Sequence, residues 1–547
     1  MIEVVILRFV KSIILTNMFC LAALPAAMAA PAVPVPPQAP TAQNVDKDTV
    51  VSSPVETKNH ATGKLQFVLH TVRFAHSEMA LDDVALGQLV EPFLQREITP
   101  AELNAMLDQL TAYARLHGYP AAIAYIPAQT AVKGNLTVQF APGQLGKIQV
   151  ADNSVLNENV VRRTLAGLKK GEVIKGDKLE RAVRNLKDVP GIEVSASLVP
   201  GENSGESDLL LSIMPKDRDA YILYSENYGS KATGRYRYGV LADWRNISHK
   251  GDRLNIGGLV SNGKQHGCNI GYELPAGHSA TTLGIGYSRT DYELGSIWSQ
   301  LGMEGKSDTF SLYGKTPLRN QVQKNLNLVY AFNYRRLEDK MKGLELGNRH
   351  SYSVTCGLDG RYRKTDNLLQ YNIALQSGTL TPDSALANTL ATDGAYKGHY
   401  LKGTLDVTDI QKLAGPFDVL LKVSGQKAAS NLDSSEHIYL GGARGIRAYP
   451  QGEASGDEGV LGTCEFRYHT NIPGLTLSTY YDAGHVREQK SVSGSTTLQG
   501  WGIGLTYSKE NDWFARVDYA RRIGTPDNLS TDAKSRQRIW FLAGKVF

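Results

Sequence analysis

Most of the chain after residue 217 alternates apolar residues with small or polar ones, which is the two-residue period of a β-strand. In WGIGLTYS, one face would carry Trp501, Ile503, Leu505 and Tyr507, and the other only glycine, threonine and serine. The segments LNLVYAFNY and TTLGIGYSR follow the same rule. About 330 residues without a helical period, at roughly 20 residues per strand and connection, predict about 16 strands.

Two environments could produce this alternation. A soluble sandwich would also alternate, with its large residues facing a core between two sheets. Here the face opposite the large residues is rich in glycine, the strands are long, and the region offers no helix to cover a sheet. These features favour a transmembrane barrel, with apolar residues outside and small or polar residues inside. The last strand, RIWFLAGKVF, alternates in the same way and ends on the aromatic Phe547.

Residues 64–143 show a different pattern, with short strands and an amphipathic helix. LQFVLHTVRF alternates and predicts one strand. A helix begins at Pro100, with Thr99 as its N-cap and Glu102 completing a capping box, and it ends at Gly118. AAIAYIP and GNLTVQF predict two further strands.

Residues 144–216 repeat this order. GKIQV, IEVSASLVP and SDLLLSIMP predict strands. Asn157 would cap a helix that runs to about Leu168, and a second helix would start at Asp177. Two copies of β-α-α-β-β predict two small α+β modules in tandem. The expected fold class is therefore mostly β, with an antiparallel transmembrane barrel at residues 217–547.

The N-terminus predicts export. Within residues 1–29, Arg8 and Lys11 precede a short apolar run and a small-residue cleavage pattern, as in a secretory signal. A membrane anchor is the alternative, although the run is short for a bilayer span. Residues 30–63 are rich in proline and predict an extended periplasmic linker, without the amphipathic stripe of a helix that could plug a barrel.

Composition adds few constraints. The net charge of +5 is spread along the chain and does not indicate a nucleic-acid partner. Beyond the signal, Cys268, Cys356 and Cys464 are far apart, which predicts neither a disulfide framework nor a metal site. The sequence has no nucleophile elbow, phosphate-binding loop or His/Cys cluster, so we expect no enzyme, metal or cofactor.

The stretch GGARGIRAYPQGEASGDEG, residues 441–459, predicts a long loop that contains Arg447. In LTLSTYYDAG the alternation directs Asp482 into the lumen of a barrel. If the loop enters that lumen, Arg447 needs a carboxylate there, and pairing with Asp482 would fix the loop to the wall. A solvated surface arginine is the alternative. A Ca²⁺ loop is a further alternative for the acidic residues, although they lack regular ligand spacing: Glu453, Asp457 and Glu458.

Several motifs resemble those of two-partner secretion transporters of the haemolysin secretion and activation type, which are outer-membrane barrels preceded by POTRA modules. HGYPAAIAYIPAQ resembles part of the first POTRA module, although the turn FAPGQLGKI departs from the family. ENYGSKATGRYRYG resembles the start of the barrel. The POTRA positions that match are Gly118, Tyr119, Pro120, Ala122, Ala124, Pro127 and Gln129.

The long loop carries the third resemblance. The family motif (Val/Ile)-Arg-Gly-(Tyr/Phe) is matched by Ile446, Arg447, Ala448 and Tyr449, with alanine in place of glycine. The acidic stretch that follows fits the haemolysin-transporter version of the loop, including Gly456 and Asp457. The partner motif, Phe/Gly-x-Asp-x-Gly, is matched with tyrosine at its first position by Tyr480, Asp482 and Gly484.

The resemblance implies an outer-membrane pore with periplasmic POTRA modules. Such modules would bind an unfolded exoprotein that has an N-terminal secretion domain, and this protein would pass through the barrel and fold outside. The cargo would be an adhesin, a haemolysin or a contact-dependent toxin. An outer-membrane assembly factor of the same superfamily and a passive porin or surface receptor are the alternatives.

Overall fold

The computed structural model of the chain describes residues 67–547 except 77, 130–133, 154, 204, 278–279, 490–491 and 527–528. The predicted signal, the predicted linker and the question of a plug helix lie outside the described residues. The described residues before and after residue 217 form two compact units.

The first α+β module has a three-stranded sheet with the order β2-β5-β4 and a separate pair, β1 with β3. The single strand predicted across LQFVLHTVRF is wrong, because the His70 amide donates to Gly134 O at 2.8 Å and the two halves enter different sheets. Its elements are β1 (Phe67–Leu69), β2 (Thr71–Ala75), α1 (Asp83–Val90), β3 (Arg96–Ile98), α2 (Pro100–Leu116), β4 (Ile123–Tyr125) and β5 (Asn135–Ala141).

Helix α2 begins where the sequence places it. The Glu102 amide donates to the Thr99 side chain, and the Thr99 amide donates to the Glu102 carboxylate at 2.9 Å. Arg96 donates to the same carboxylate at 2.6 Å. The Thr99 amide and the Arg96 guanidinium stabilise the charged form, which lowers the pKa of Glu102 to about 2. The other end of α2 buries Leu110 and Ala114 in the core of the module.

This capping box predicts a pH dependence. The folded-state pKa of Glu102 lies below its ordinary value of 4.5, so its stabilisation is present above pH 4.5 and is lost as the pH falls toward 2. We expect pepsin to cleave α2 of the full-length protein increasingly faster over this range. Glu102→Gln, which cannot titrate, should show only the smaller increase that comes from the pH dependence of pepsin itself. Parallel pH profiles of cleavage for the two proteins would contradict the prediction.

The second module has the sheet order β6-β8-β7. Asn157 caps α3 as predicted. The helix ends at Thr164, because the amide of the next residue, Leu165, also donates to the nearer carbonyl of Arg163. Leu179 and Val183 on the buried face of α4 join the core of the module, and the helix packs against β7. The elements are β6 (Gln144–Asn153), α3 (Glu158–Thr164), α4 (Gly176–Lys187), β7 (Ile192–Pro200) and β8 (Glu206–Pro215).

The second unit is a closed antiparallel barrel, and pairing of its last strand with its first closes it. The long strands are β9 (Asp219–Glu226), β10 (Arg237–Arg245), β11 (Arg253–Ser261), β12 (Gln265–Ala276), β13 (Thr281–Glu293), β14 (Met303–Asn320), β15 (Lys324–Met341), β17 (Arg349–Arg363), β18 (Asn367–Pro382), β19 (Gly398–Lys412), β20 (Phe417–Ala428), β23 (Glu458–His469), β24 (Leu475–Gln489), β25 (Val492–Ser508), β26 (Trp513–Arg522) and β27 (Gln537–Val546). Short elements in the connections are β16 (Leu344–Glu345), α5 (Ala385–Asp393), β21 (Ile438–Tyr439) and β22 (Ser455–Gly456).

The two faces of the barrel follow the predicted alternation. Phe332 and Ile503 point outward and are 41% and 55% exposed, whereas Asn327 and Asn333 face the lumen and are buried. The mostly β fold, with a barrel of 16 long strands after two α+β modules, is confirmed. No helix in the described ranges is both long and apolar enough to cross a membrane.

The glycines of the inner face have a packing role. Several of them lie under a tyrosine ring of the neighbouring strand, where an added Cβ would come within 2.1–2.5 Å of the ring. Glycine therefore lets large aromatic side chains lie flat on the wall of the lumen. The glycine–tyrosine pairs are Gly239 with Tyr224, Gly284 with Tyr313, Gly305 with Tyr292, Gly378 with Tyr400, and Gly502 with Tyr480.

Candidate functional site: a loop inside the barrel

The connection between β20 and β23 is the longest in the barrel portion that the structure describes, and we call residues 429–457 the lumen loop. It differs from the predicted loop of 441–459, because Glu458 and Gly459 already pair with β24 as part of β23. The two arms of the loop come together near its base, where Ile438 pairs with Gly456. Since the barrel strands alternate in direction, the loop emerges at the end opposite to the start of β9.

The tip of the lumen loop is buried inside the barrel, and Arg447 lies there with 5% of its surface exposed. Its guanidinium donates twice to Asp482 on β24, from Nε at 2.9 Å and from Nη2 at 2.8 Å. The Arg447 amide donates to the same carboxylate at 3.1 Å. The two residues that the sequence pairs are therefore in a two-pronged contact, which fixes both the side chain and the backbone of the loop.

Two carboxylates that the sequence reasoning did not find complete the site. Arg447 Nη1 donates to Glu465 on β23 at 2.9 Å and to Asp518 on β26 at 3.3 Å. Arg516 bridges the same pair of acids, at 2.7 Å from Asp518 and 3.2 Å from Glu465. The two-residue period of β23 and β26 could have identified both acids. It places Glu465 and Asp518 on the same face as the buried residues beside them.

The guanidinium also stacks on an aromatic ring. Arg447 Cζ lies 3.1 Å from the centre of the Tyr480 ring, so the tyrosine at the first motif position provides a cation–π surface. The ring in turn occupies the space left by Gly502, where an added Cβ would lie 2.5 Å from it. On the other side, Trp540 Nε1 donates to Arg447 O at 2.6 Å. Strands β24, β25 and β27 together position one arginine of the loop.

The residues on either side of Arg447 pack closely on the wall. Ile446, Ala448 and Tyr449 are 0–2% exposed. An added Cβ at Gly484 would lie 3.1 Å from Ile446 Cδ1, and one at Gly500 would lie 2.5 Å from Ala448 Cβ. Gly484 of the strand motif is therefore the residue that lets the loop approach.

Alanine at position 448 fits the loop without strain. The residues with positive φ include Ala454 but not Ala448, so the backbone at 448 does not need glycine. The methyl group instead fills the space above Gly500.

The acidic end of the loop makes separate contacts. Asp457 accepts a hydrogen bond from the Leu432 amide at 2.8 Å and lies 3.1 Å from His437 Nε2. Glu453 accepts one from the Ser530 amide at 2.8 Å. These carboxylates bind different partners, and no group of three potential metal ligands occurs among the described residues. Gly456 lies where an added Cβ would contact Arg487 O at 2.0 Å, which explains the glycine at this position.

The POTRA-like motif has structural contacts within the first module. Gly118 has φ +99° and ends α2, and the hydroxyl of the buried Tyr119 accepts a hydrogen bond from the Ala80 amide at 2.8 Å. The Gln129 side chain bonds both backbone groups of Thr137, at 2.7 and 3.0 Å. The two prolines of the motif are half-buried in the turns beside these residues: Pro120 and Pro127.

Comparison with known proteins places the chain in a family. The profile of the haemolysin secretion/activation protein ShlB/FhaC/HecB family matches residues 205–507, more than half of the chain, and the ShlB-type POTRA domain matches residues 67–143. The heme/hemopexin transporter protein HuxB of Haemophilus influenzae is 26% identical, covering 86% of this chain and 85% of its own length.

Two CdiB proteins are also similar. The outer membrane transporter CdiB of Dickeya dadantii is 22% identical, covering 86% of this chain and 85% of its own length. The solved structure of CdiB from Escherichia coli shares the fold, with a TM-score of 0.69 and 18% identity over 91% of this chain and 93% of that one. The chain belongs to the haemolysin secretion/activation protein ShlB/FhaC/HecB family and is an outer-membrane transporter of two-partner secretion, with its POTRA modules in the periplasm.

Proposed function

We propose that the barrel exports one secreted partner protein in an unfolded state, and that the lumen loop has to leave its site for the cargo to pass. The observation that carries this proposal is the burial of Arg447 among wall carboxylates, because the loop then occupies the space that an extended chain needs. The names of the relatives point to varied cargoes, heme/hemopexin for HuxB and haemolysin for HpmB. An adhesin, a haemolysin or a contact-dependent toxin with an N-terminal secretion domain fits this range.

The loop is held firmly enough to keep the path of the cargo closed at rest. Four charge-assisted hydrogen bonds run from the Arg447 side chain to three carboxylates. Each such bond contributes roughly 1.5–3 kcal/mol, so thermal motion alone rarely withdraws the loop. Engagement of the cargo has to supply compensating interactions. The work is conformational rather than enzymatic, and folding of the cargo outside the cell would prevent its return.

Outer-membrane lipid is the other partner, and nucleic acid has no role in this proposal. Aromatic side chains lie on the outer face at the barrel end where β9 starts. Tyr221, Trp513 and Phe547 are 41%, 55% and 59% exposed there. Aromatic rings at one end of an apolar band are typical of the level of the lipid headgroups.

The second module offers the cargo a free strand edge. Among the described residues β7 pairs only with β8, and Gly191 O accepts from the Lys216 amide at 3.1 Å. Antiparallel pairing alternates sides, so the amides of Val194, Ala196 and Leu198 point to the unpaired edge. An extended cargo segment could add there as a further strand, through main-chain bonds that demand little sequence. The edge strands of the first module are shorter, with three residues in β4 and five in β2.

Ala196→Pro tests this edge. Proline removes an outward amide while sparing the bonds to β8, so the module should stay folded and export should fall several-fold. Ala196→Val keeps the amide and is the matched control. Secreted cargo would be quantified in the medium by immunoblot. Equal export by the two variants would mean that the cargo does not bind at this edge of β7.

Co-expression with the exoprotein of a neighbouring gene tests the function itself. We expect the cargo in the medium with the wild type, and in the periplasm when residues 67–143 are deleted. Heat-modifiable gel mobility would show that the barrel still inserts. A passive porin would insert and conduct ions in both cases without exporting the cargo, and that result would exclude the proposed function.

A further inference from the structure

The lumen loop makes a second set of buried ion pairs, on another part of the barrel wall. The Glu436 carboxylate lies 3.0 Å from Arg335 Nη1 on β15 and 2.7 Å from Lys402 Nζ on β19. Arg349 Nε on β17 donates to Asp433 at 2.8 Å. All five side chains are at most 10% exposed. We call Arg335, Arg349 and Lys402 the basic site.

The basic site is well supplied with further donors. Gln376 Nε2 donates to the Glu436 carboxylate at 3.2 Å, and Lys402 Nζ also donates to Glu436 O at 3.0 Å. Arg349 is oriented by Asp339 on β15, to which it donates at 2.8 Å. These contacts hold the cations in place around a carboxylate, so the wall has the form of an anion-binding site.

The two sets of contacts have opposite polarity. At the Arg447 site the loop supplies the cation and strands β23, β24 and β26 supply the carboxylates. At the basic site the loop supplies the carboxylates and strands β15, β17 and β19 supply the cations. When the loop leaves, Arg335 and Lys402 lose their buried carboxylate and Arg349 keeps only Asp339. This loss is costly unless another anion replaces the loop carboxylates.

We propose that the basic site is a binding site for the carboxylates of an acidic segment of the cargo, and that the loop occupies it at rest with Asp433 and Glu436. This proposal rests on the proposed function, because it requires that the loop leaves the lumen. Exchange of one carboxylate ligand for another lets the cargo replace the interactions that the loop gives up. A segment without acidic side chains would leave Arg335 and Lys402 without a carboxylate and would enter less readily.

The test uses the full-length protein in planar lipid bilayers with synthetic octapeptides of glutamate and of glutamine as probes. Asp433→Asn/Glu436→Gln keeps the size of both loop side chains and removes their charge. We expect octaglutamate to block the current of this variant at a concentration at least tenfold lower than it needs for the wild type, in which the loop fills the site. Octaglutamine should block both proteins equally weakly.

Adding Lys402→Gln should reduce the octaglutamate block at least fivefold. Lys427→Gln removes a lysine from the exposed end of β20 and is the matched control. Octaglutamate blocking no better than octaglutamine, or equally well after Lys402→Gln, would overturn the proposal. Single Glu436→Gln serves in the same assay if the double variant does not insert. Export of the exoprotein by the wild type is measured separately, so a failure of the basic site is distinguishable from a failure of the transport function.

Discussion

Arg447→Ala is expected to reduce secretion of the exoprotein at least tenfold while the barrel still inserts. Removing one partner of a buried ion pair typically costs about 3–5 kcal/mol, because the opposite charges stay buried and unpaired. Here Asp482 loses both guanidinium bonds, and Glu465 and Asp518 keep only Arg516. The loop then has no fixed position from which the cargo can displace it, and it stays in the path of the cargo. Secretion is measured as the share of cargo in the medium.

The controls separate this effect from a general loss of charge. Arg487→Ala removes an arginine that is half-exposed and 3.9 Å from Glu458, and it should leave secretion unchanged. Arg447→Lys keeps the charge but cannot form the two-pronged contact, so it should recover only part of the export. Arg444 of the loop is exposed to solvent but lies inside the barrel near Tyr224. Trypsin added to intact cells should cleave there in Arg447→Ala and spare the wild type. Normal export by an inserted Arg447→Ala barrel would show that the loop site is not needed.

The inward position of Asp482 could be derived from the sequence because a strand has a strict two-residue period, whereas the entry of Arg447 into the lumen was implied by the family resemblance. That period fixes which side of β24 faces the lumen, whatever the neighbouring strands are. Asp482 is fully buried, and Tyr481 beside it is 43% exposed on the outer face. The barrel as a whole follows from the same local rule.

The rest of the site depends on the register between strands, which no local pattern contains. Thr463 pairs with Asp482, and this pairing places Glu465 of β23 two residues farther along the same inner face. Gly504 pairs with Asp518, which brings β26 to the same level through β25. The two-residue period alone predicts that Glu465 and Asp518 face inward. Only the register between strands shows that both contact Arg447.

The break in the first strand of the chain has a similar cause. LQFVLHTVRF alternates without interruption, so its period predicts one strand. The structure divides it at His70, where a backbone bond to Gly134 and the pairing of β1 with β3 compete with a continuous ladder. The partners lie 27 to 64 positions away in the chain, and a local pattern cannot report on them.

Gly500→Ala is expected to displace the lumen loop, and Ala448→Gly should restore it. The added methyl group would lie 2.5 Å from Ala448 Cβ and 3.3 Å from Arg521 O, so the loop or the wall has to shift. Overpacking of this kind costs about 1–3 kcal/mol. The family motif has glycine where this chain has Ala448, so the chain places its one methyl group on the loop side of the contact and glycine on the wall.

A double-mutant cycle measures whether this contact sets the position of the loop. Gly500→Ala should raise the resting current several-fold and expose Arg444 to trypsin. Ala448→Gly alone loses one buried methyl group, worth about 0.8 kcal/mol, and should change both readouts only slightly. The double variant moves the methyl group from the loop to the wall, so its resting current and its cleavage by trypsin should return toward the wild-type values. Such a non-additive result identifies a direct contact between the two positions. Additive effects in both readouts would mean that Gly500 acts on the barrel wall alone and that Ala448 packs elsewhere.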